Sequence, residues 1–144
     1  MVGFTPASLR SRFSDGGGVT SVSWGCAYAH VMLVLNRFVV PPDTQDSFVE
    51  RAHAALAALA ASTGYTSGRL TRALDDPAYW TLVTEWESVG AYRRALGGFD
   101  VKVHATPLLS ESLDEPSAFE TLAAAEPGSA VVAHGSDRAA EPWR

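Results

Sequence analysis

Cysteine is almost absent. Cys26 stands alone in 144 residues, which excludes a disulfide framework, a CxxC redox pair and a thiolate metal cluster, and suits a reducing cytoplasm. Lysine is as scarce: Lys102 is the only one, and the arginines form no basic stripe. With a net charge of -5, this argues against nucleic acid as a partner. Long apolar runs are missing too. The longest, residues 31–40, is broken by Asn36 and Arg37 and falls short of the roughly 20 residues a membrane helix needs. No membrane span is expected. The small-x-small triplet Ala27-Tyr28-Ala29 and the pair Gly25-Cys26 lack the apolar stretch that a secretory or lipoprotein leader requires ahead of them.

What is present is enough for one packed core, since 47% of residues are hydrophobic and 19% charged. Residues 1–30 are rich in Ser, Gly, Thr and Arg, contain the Gly16-Gly17-Gly18 run and show neither helical nor strand periodicity. They read as a disordered extension, or as a stretch left out if translation starts near Met32. Residues 31–116 read as the folded domain. Residues 117–144 read as a tail with one short helix over 117–125.

The most informative stretch is 79–96, a strand running into a helix. Residues 79–86 are β-branched and aromatic, and both alternating faces, Trp80/Leu82/Thr84/Trp86 and Tyr79/Thr81/Val83/Glu85, are largely able to be buried. Ser88 is placed to cap a helix in which Val89, Tyr92, Arg93 and Leu96 recur until Gly97-Gly98 ends it. Residues 31–40 form a strand that is apolar on both faces except at Asn36 and Arg37. After Pro41-Pro42 a long helix carries Phe48, Ala52, Leu56 and Leu59 on one stripe and stops at Gly64. A more polar strand over 65–74 turns at Asp75-Asp76-Pro77 into the next as a hairpin. Residues 99–104 are ambiguous, and 105–113 read as the final strand, with Pro107 at its start or on an edge.

The resulting order is β-α-β-β-α-β, an α+β ferredoxin-like arrangement: a four-stranded antiparallel sheet with two helices on one face. Two helices cover only one side, yet strands one and three are apolar on both. A homodimer joined sheet to sheet covers the other side.

The segment from Val34 to about Glu120 resembles the antibiotic biosynthesis monooxygenase domain family within the dimeric α+β barrel superfamily. The resemblance rests on Asn36-Arg37-Phe38, on Gly64-Tyr65 after the long helix, on Leu74-Asp75-Asp76-Pro77 in the hairpin, and above all on Leu82-Val83-Thr84-Glu85-Trp86-Glu87-Ser88 leading into the second helix. It implies oxygenases that attack polyketide or quinol substrates without metal or flavin, haem-degrading enzymes, or non-catalytic dimeric domains that bind a small molecule or are stress-related. Such an oxygenase takes a small aromatic substrate and dioxygen and needs a dry cavity with few polar groups.

On that resemblance the candidate site lies between sheet and helices. Asn36 donates to a substrate oxygen, Trp86 stacks on the ring, His104 accepts a proton near neutral pH, and Tyr92 and Phe38 line the cavity. Each has a plainer role beside it: Trp86 as a packing residue at the strand-helix joint, Asn36 bonded to backbone, His104 on the surface, and Tyr65, Tyr79 and Tyr92 as fillers. His53 sits on a helix flank, and His30 and His134 lie toward the ends of the chain. No cofactor is expected. The haem alternative needs an Asn on strand one, a Trp on helix two and an iron-ligating His. Asn36 and His104 match, whereas Ala95 stands where the Trp belongs.

Overall fold

The computed structural model describes residues 31–136. The expectations for the 1–30 extension, for His30 and for the last residues of the tail lie outside them.

Strand β1 (Met32–Val39) alternates along its length: Met32, Val34, Asn36 and Phe38 are buried, while Leu33, Leu35 and Arg37 are half-buried and Val39 is exposed. The period of two puts the first set on the helix-covered face. Pro41 is extended and opens a short 3-10 turn, Pro42–Thr44. Helix α1 (Gln45–Ala60) follows and buries Phe48, Ala52, Ala55 and Leu59 on one stripe. The small alanines let it lie close to the sheet. Gly64, at a φ of 89°, turns the chain into β2 (Tyr65–Arg72).

The hairpin to β3 (Tyr79–Trp86) closes through Ala73 N–H donating to the Tyr79 carbonyl at 2.9 Å, with the Ala78 N–H held by the Asp76 carboxylate at 3.1 Å. Helix α2 (Val89–Leu96) begins where Ser88 Oγ accepts the Ala91 N–H at 3.0 Å. Removing that cap by Ser88→Ala is expected to cost about 1 kcal/mol. Thermal unfolding of the variant should show a correspondingly lower Tm, and Ser88→Asp should restore it.

The sheet order is β2-β3-β1-β4, and β1 lies antiparallel to both β3 and β4. Non-sequential neighbours β1 and β3 sit side by side in the centre, as the ferredoxin-like reading requires. The fold is α+β, with a four-stranded antiparallel sheet and helices on the buried face.

One stretch departs from the sequence reading. Residues 105–113 do not make the last strand: α3 (Phe99–His104) and α4 (Thr106–Leu109) occupy this region. Val101, Ala105 and Leu108 are buried at a spacing of four and then three residues, a helical period. Pro107 sits in the first turn of α4, where its missing N–H costs nothing. The fourth strand is β4 (Ala118–Glu120), past the expected domain edge at 116 and inside the segment expected to be helical. The edge of β1 holds it there. Leu35 N–H donates to the Ser117 carbonyl at 2.6 Å and Thr121 N–H to the Val31 carbonyl at 3.3 Å. A small exposed hairpin, β5 (Ala123–Ala124) with β6 (Val132–Ala133), continues from it. Among the described residues, no helix is long and apolar enough to cross a membrane.

The face of the sheet away from the helices carries Leu33, Leu35, Val39, Val83 and, from β4, Phe119. Phe119 remains 39% exposed. Arg37 also projects there and pairs with Glu115 at 3.1 Å.

Candidate functional site

The register of β1 against β3 arranges the inner face as successive rungs: Met32 opposite Trp86, Val34 opposite Thr84, Asn36 opposite Leu82, and Phe38 opposite Trp80. Directly opposed residues share a face, so these eight side chains form the floor under the helix layer.

At one end Trp86 is fully buried. Its indole N–H donates to Thr84 Oγ1 at 2.9 Å. Tyr65 meets its ring edge-on with centroids 5.4 Å apart, and Tyr92 packs tilted at the same distance. The structure therefore brings Trp86 and Tyr92 together. With its one polar atom engaged, Trp86 offers its neighbours only ring surface. Burial raises the Tyr92 phenol above its ordinary 10.0.

That shift has a pH consequence. The unfolded chain gives up the Tyr92 proton near pH 10 while the folded chain still holds it. The stabilisation is therefore complete below pH 10 and is lost as pH rises through the folded value. In Tyr92→Phe the fall of Tm above about pH 10 should be shallower than in the parent. Melting curves across that alkaline range check it.

At the other end Phe38 packs against Phe48 at 5.2 Å, and Phe48 meets Trp80 at 5.6 Å. Phe38, Val40, Phe48, Arg51 and Glu111 line a cleft of about 100 Å³, with Arg51 and Glu111 ion-paired at it. Asn36 lies between the two ends. It is 8% exposed, and its side-chain amide has no hydrogen-bond partner among the described residues. Phe38 is its next same-face neighbour along the strand, about 7 Å away, and the Trp86 rung is about 13 Å off.

His104 is elsewhere. It ends α3 in an exposed position and makes no hydrogen bond or ring contact with Asn36, Trp86, Tyr92 or Phe38. Ala95 belongs to the packed core at 6% exposure. His104 does not converge with Asn36, and Ala95 brings no ring to the core, so these residues do not fit haem. Among the described residues, no group of three His, Cys, Asp or Glu side chains could hold a metal ion.

Thr84 and Trp80 join the face without standing out in the sequence as site residues. Their signal was present, since both alternate with Leu82 on the face of Trp86. Only the strand register shows that this face also carries Asn36.

Comparison with known proteins gives the same architecture. Residues 31–104, half of the chain, match the family model described as antibiotic biosynthesis monooxygenase. Among solved structures, the chain is similar to a variant of SnoaB from Streptomyces nogalater, described as a cofactor-independent oxygenase. The two are 27% identical with a TM-score of 0.57, over 65% of this chain and 94% of that one. It is also similar to Rv0793 from Mycobacterium tuberculosis, at 20% identity and a TM-score of 0.55 over 67% of this chain and 99% of that one. A conserved protein from Methanosarcina mazei Go1 shares 19% identity with a TM-score of 0.58, over 67% of this chain and 97% of that one. The last two likenesses speak to fold alone. No curated protein sequence matches the chain.

Proposed function

The chain belongs to the antibiotic biosynthesis monooxygenase family, and from that membership we propose that it is a cofactor-independent monooxygenase of small, electron-rich aromatic molecules. The observation that carries the reading is Asn36, an amide nine-tenths buried among Val34, Phe38 and Leu82 with no hydrogen-bond partner among the described residues. The amide bonds to no described residue, so its donors and its oxygen are left for water or for a ligand. A substrate oxygen held against it supplies the missing bond. Phe38 is the aromatic neighbour next to Asn36 on the same face, Trp86 and Tyr92 close the far end of that face, and SnoaB, similar to this chain at 27% identity, is a cofactor-independent oxygenase.

In this reading a phenol with a hydrogen on its para carbon enters between sheet and helices, loses its hydroxyl proton and reduces dioxygen itself. The para C–H bond breaks and a carbonyl forms there. One oxygen atom of O₂ becomes that carbonyl, and the other leaves as water with the hydroxyl proton and the hydrogen from the para carbon. The electrons come from the ring, so no separate reductant enters. The Asn36 N–H₂ stabilises charge growing on the substrate oxygen in a dry site, where such a bond is stronger than in water. The reading does not use His104, which is exposed.

The active form is a homodimer joined through the open sheet face, where Leu33, Leu35, Val83 and Phe119 lie together, and it works in a reducing cytoplasm. The test of function is oxygen uptake by the purified protein with dihydroxynaphthalenes and hydroxyanthrones. Sedimentation of the same sample gives the oligomeric state.

A further inference from the structure

Asn36 is not the only group on the inner face with hydrogen bonds to give. Thr84, 2% exposed, accepts the Trp86 N–H at 2.9 Å, but its own hydroxyl donates to no described residue. Trp80, 9% exposed, has a buried indole N–H with no partner. Its ring is pinned by Phe48 at 5.6 Å and by the Arg72 guanidinium lying 5.3 Å from its centroid.

These groups are not scattered. Asn36 is opposite Leu82, and Trp80 and Thr84 are the residues two before and two after Leu82 on the same face of β3. Each is therefore a diagonal neighbour of Asn36, about 7–8 Å away between Cα atoms. One core face carries three adjacent polar side chains with donor hydrogens that no described residue accepts, and in Trp80 the donor atom itself is fully buried, although buried polar groups are normally paired. Trp80 and Thr84 stand four residues apart along β3, about 13 Å between Cα atoms, with Asn36 across from the midpoint. The Trp86 N–H, by bonding to the Thr84 oxygen, polarises that hydroxyl and makes it a better donor.

We propose that Trp80 and Thr84 are substrate-binding residues that complete a row of donors with Asn36, and that they select fused aromatics bearing acceptor oxygens at both ends. The inference rests on the site proposed above, but it can fail separately.

The test is calorimetric binding under argon of 1,5-dihydroxynaphthalene, which has oxygens at both ends, against naphthalene, which has none. Thr84→Val removes the hydroxyl at constant shape. Thr84→Ser keeps it, and Trp80→Phe removes the N–H while keeping a ring. The Kd for the diol should rise about tenfold in Thr84→Val and in Trp80→Phe and stay near the parent value in Thr84→Ser. Naphthalene binding should be unmoved in all three. Thr84→Ser retains the acceptor for Trp86, so it separates lost recognition from lost packing. The proposal is overturned if the valine and phenylalanine variants weaken both probes alike, if they weaken neither, or if the parent protein binds neither probe. If the expected pattern appears but no diol is consumed with oxygen in air, the donor row stands and the oxygenase reading falls.

Discussion

Gly64→Ala is expected to lose about 3 kcal/mol of stability and to lower Tm by about 15 °C. Two independent costs add. Gly64 has a φ of 89°, a conformation that side chains of L-residues rarely adopt. A Cβ built there would also stand 2.4 Å from the Cβ of Ala91, and Ala91 is itself buried at the start of α2. Neither side can yield easily. The Gly64 carbonyl accepts the Glu87 N–H at 2.9 Å, tying the end of the α1 turn to the β3-α2 joint. Gly97→Ala is the control. Gly97 has an ordinary helical φ of -82°, and an added Cβ comes no closer than 3.3 Å to the Arg94 carbonyl. Its Tm should stay close to the parent value. Urea unfolding of both variants would refute this account of Gly64 if the two midpoints fell together.

Asn36→Leu is expected to move stability and activity in opposite directions. The amide is buried without a partner among the described residues, with Val34 and Phe38 beside it on the strand and Leu82 across from it. A leucine of similar size replaces a polar group with apolar contact to Val34, Phe38 and Leu82, so Tm should rise, by the equivalent of about 1 kcal/mol. Turnover should fall about 100-fold, the usual cost of deleting one donor aimed at developing charge. A residue kept only for packing would not behave this way. Were Asn36 an ordinary core residue, leucine would leave any turnover untouched.

The elements that were legible in the sequence are those whose pattern and punctuation agree. Residues 79–86 show strand alternation, Ser88 marks a cap, and Gly97 ends the helix; β3 and α2 have those limits. The first strand and α1 were legible for the same reason, with Pro41-Pro42 and Gly64 as their bounds. Past Gly98 the signals conflict. The Leu108-Leu109 pair and Pro107 read as a strand start, although Val101, Ala105 and Leu108 keep a helical period. The true fourth strand has only Ala118, Phe119 and Glu120, all exposed, which is too short and too open to produce an alternation.

The site divides in the same way. Asn36 could be singled out because an amide interrupts an apolar strand, and Trp86 because it closes one. The helical phase of 99–104 was not legible, so the exposure of His104 was hidden. Nor could the sequence pair Asn36 with Leu82, and without that register Thr84 and Trp80 are ordinary members of a strand.

The most direct measurement is oxygen uptake on addition of 1,5-dihydroxynaphthalene to the purified protein, with no metal, flavin or haem added, run beside Asn36→Leu. Enzyme-dependent uptake is expected, with one oxygen molecule consumed per diol and a hydroxynaphthoquinone formed, at a rate about 100-fold lower in the better-folded variant. Uptake that is equal in the two proteins, or absent from the parent, would contradict it.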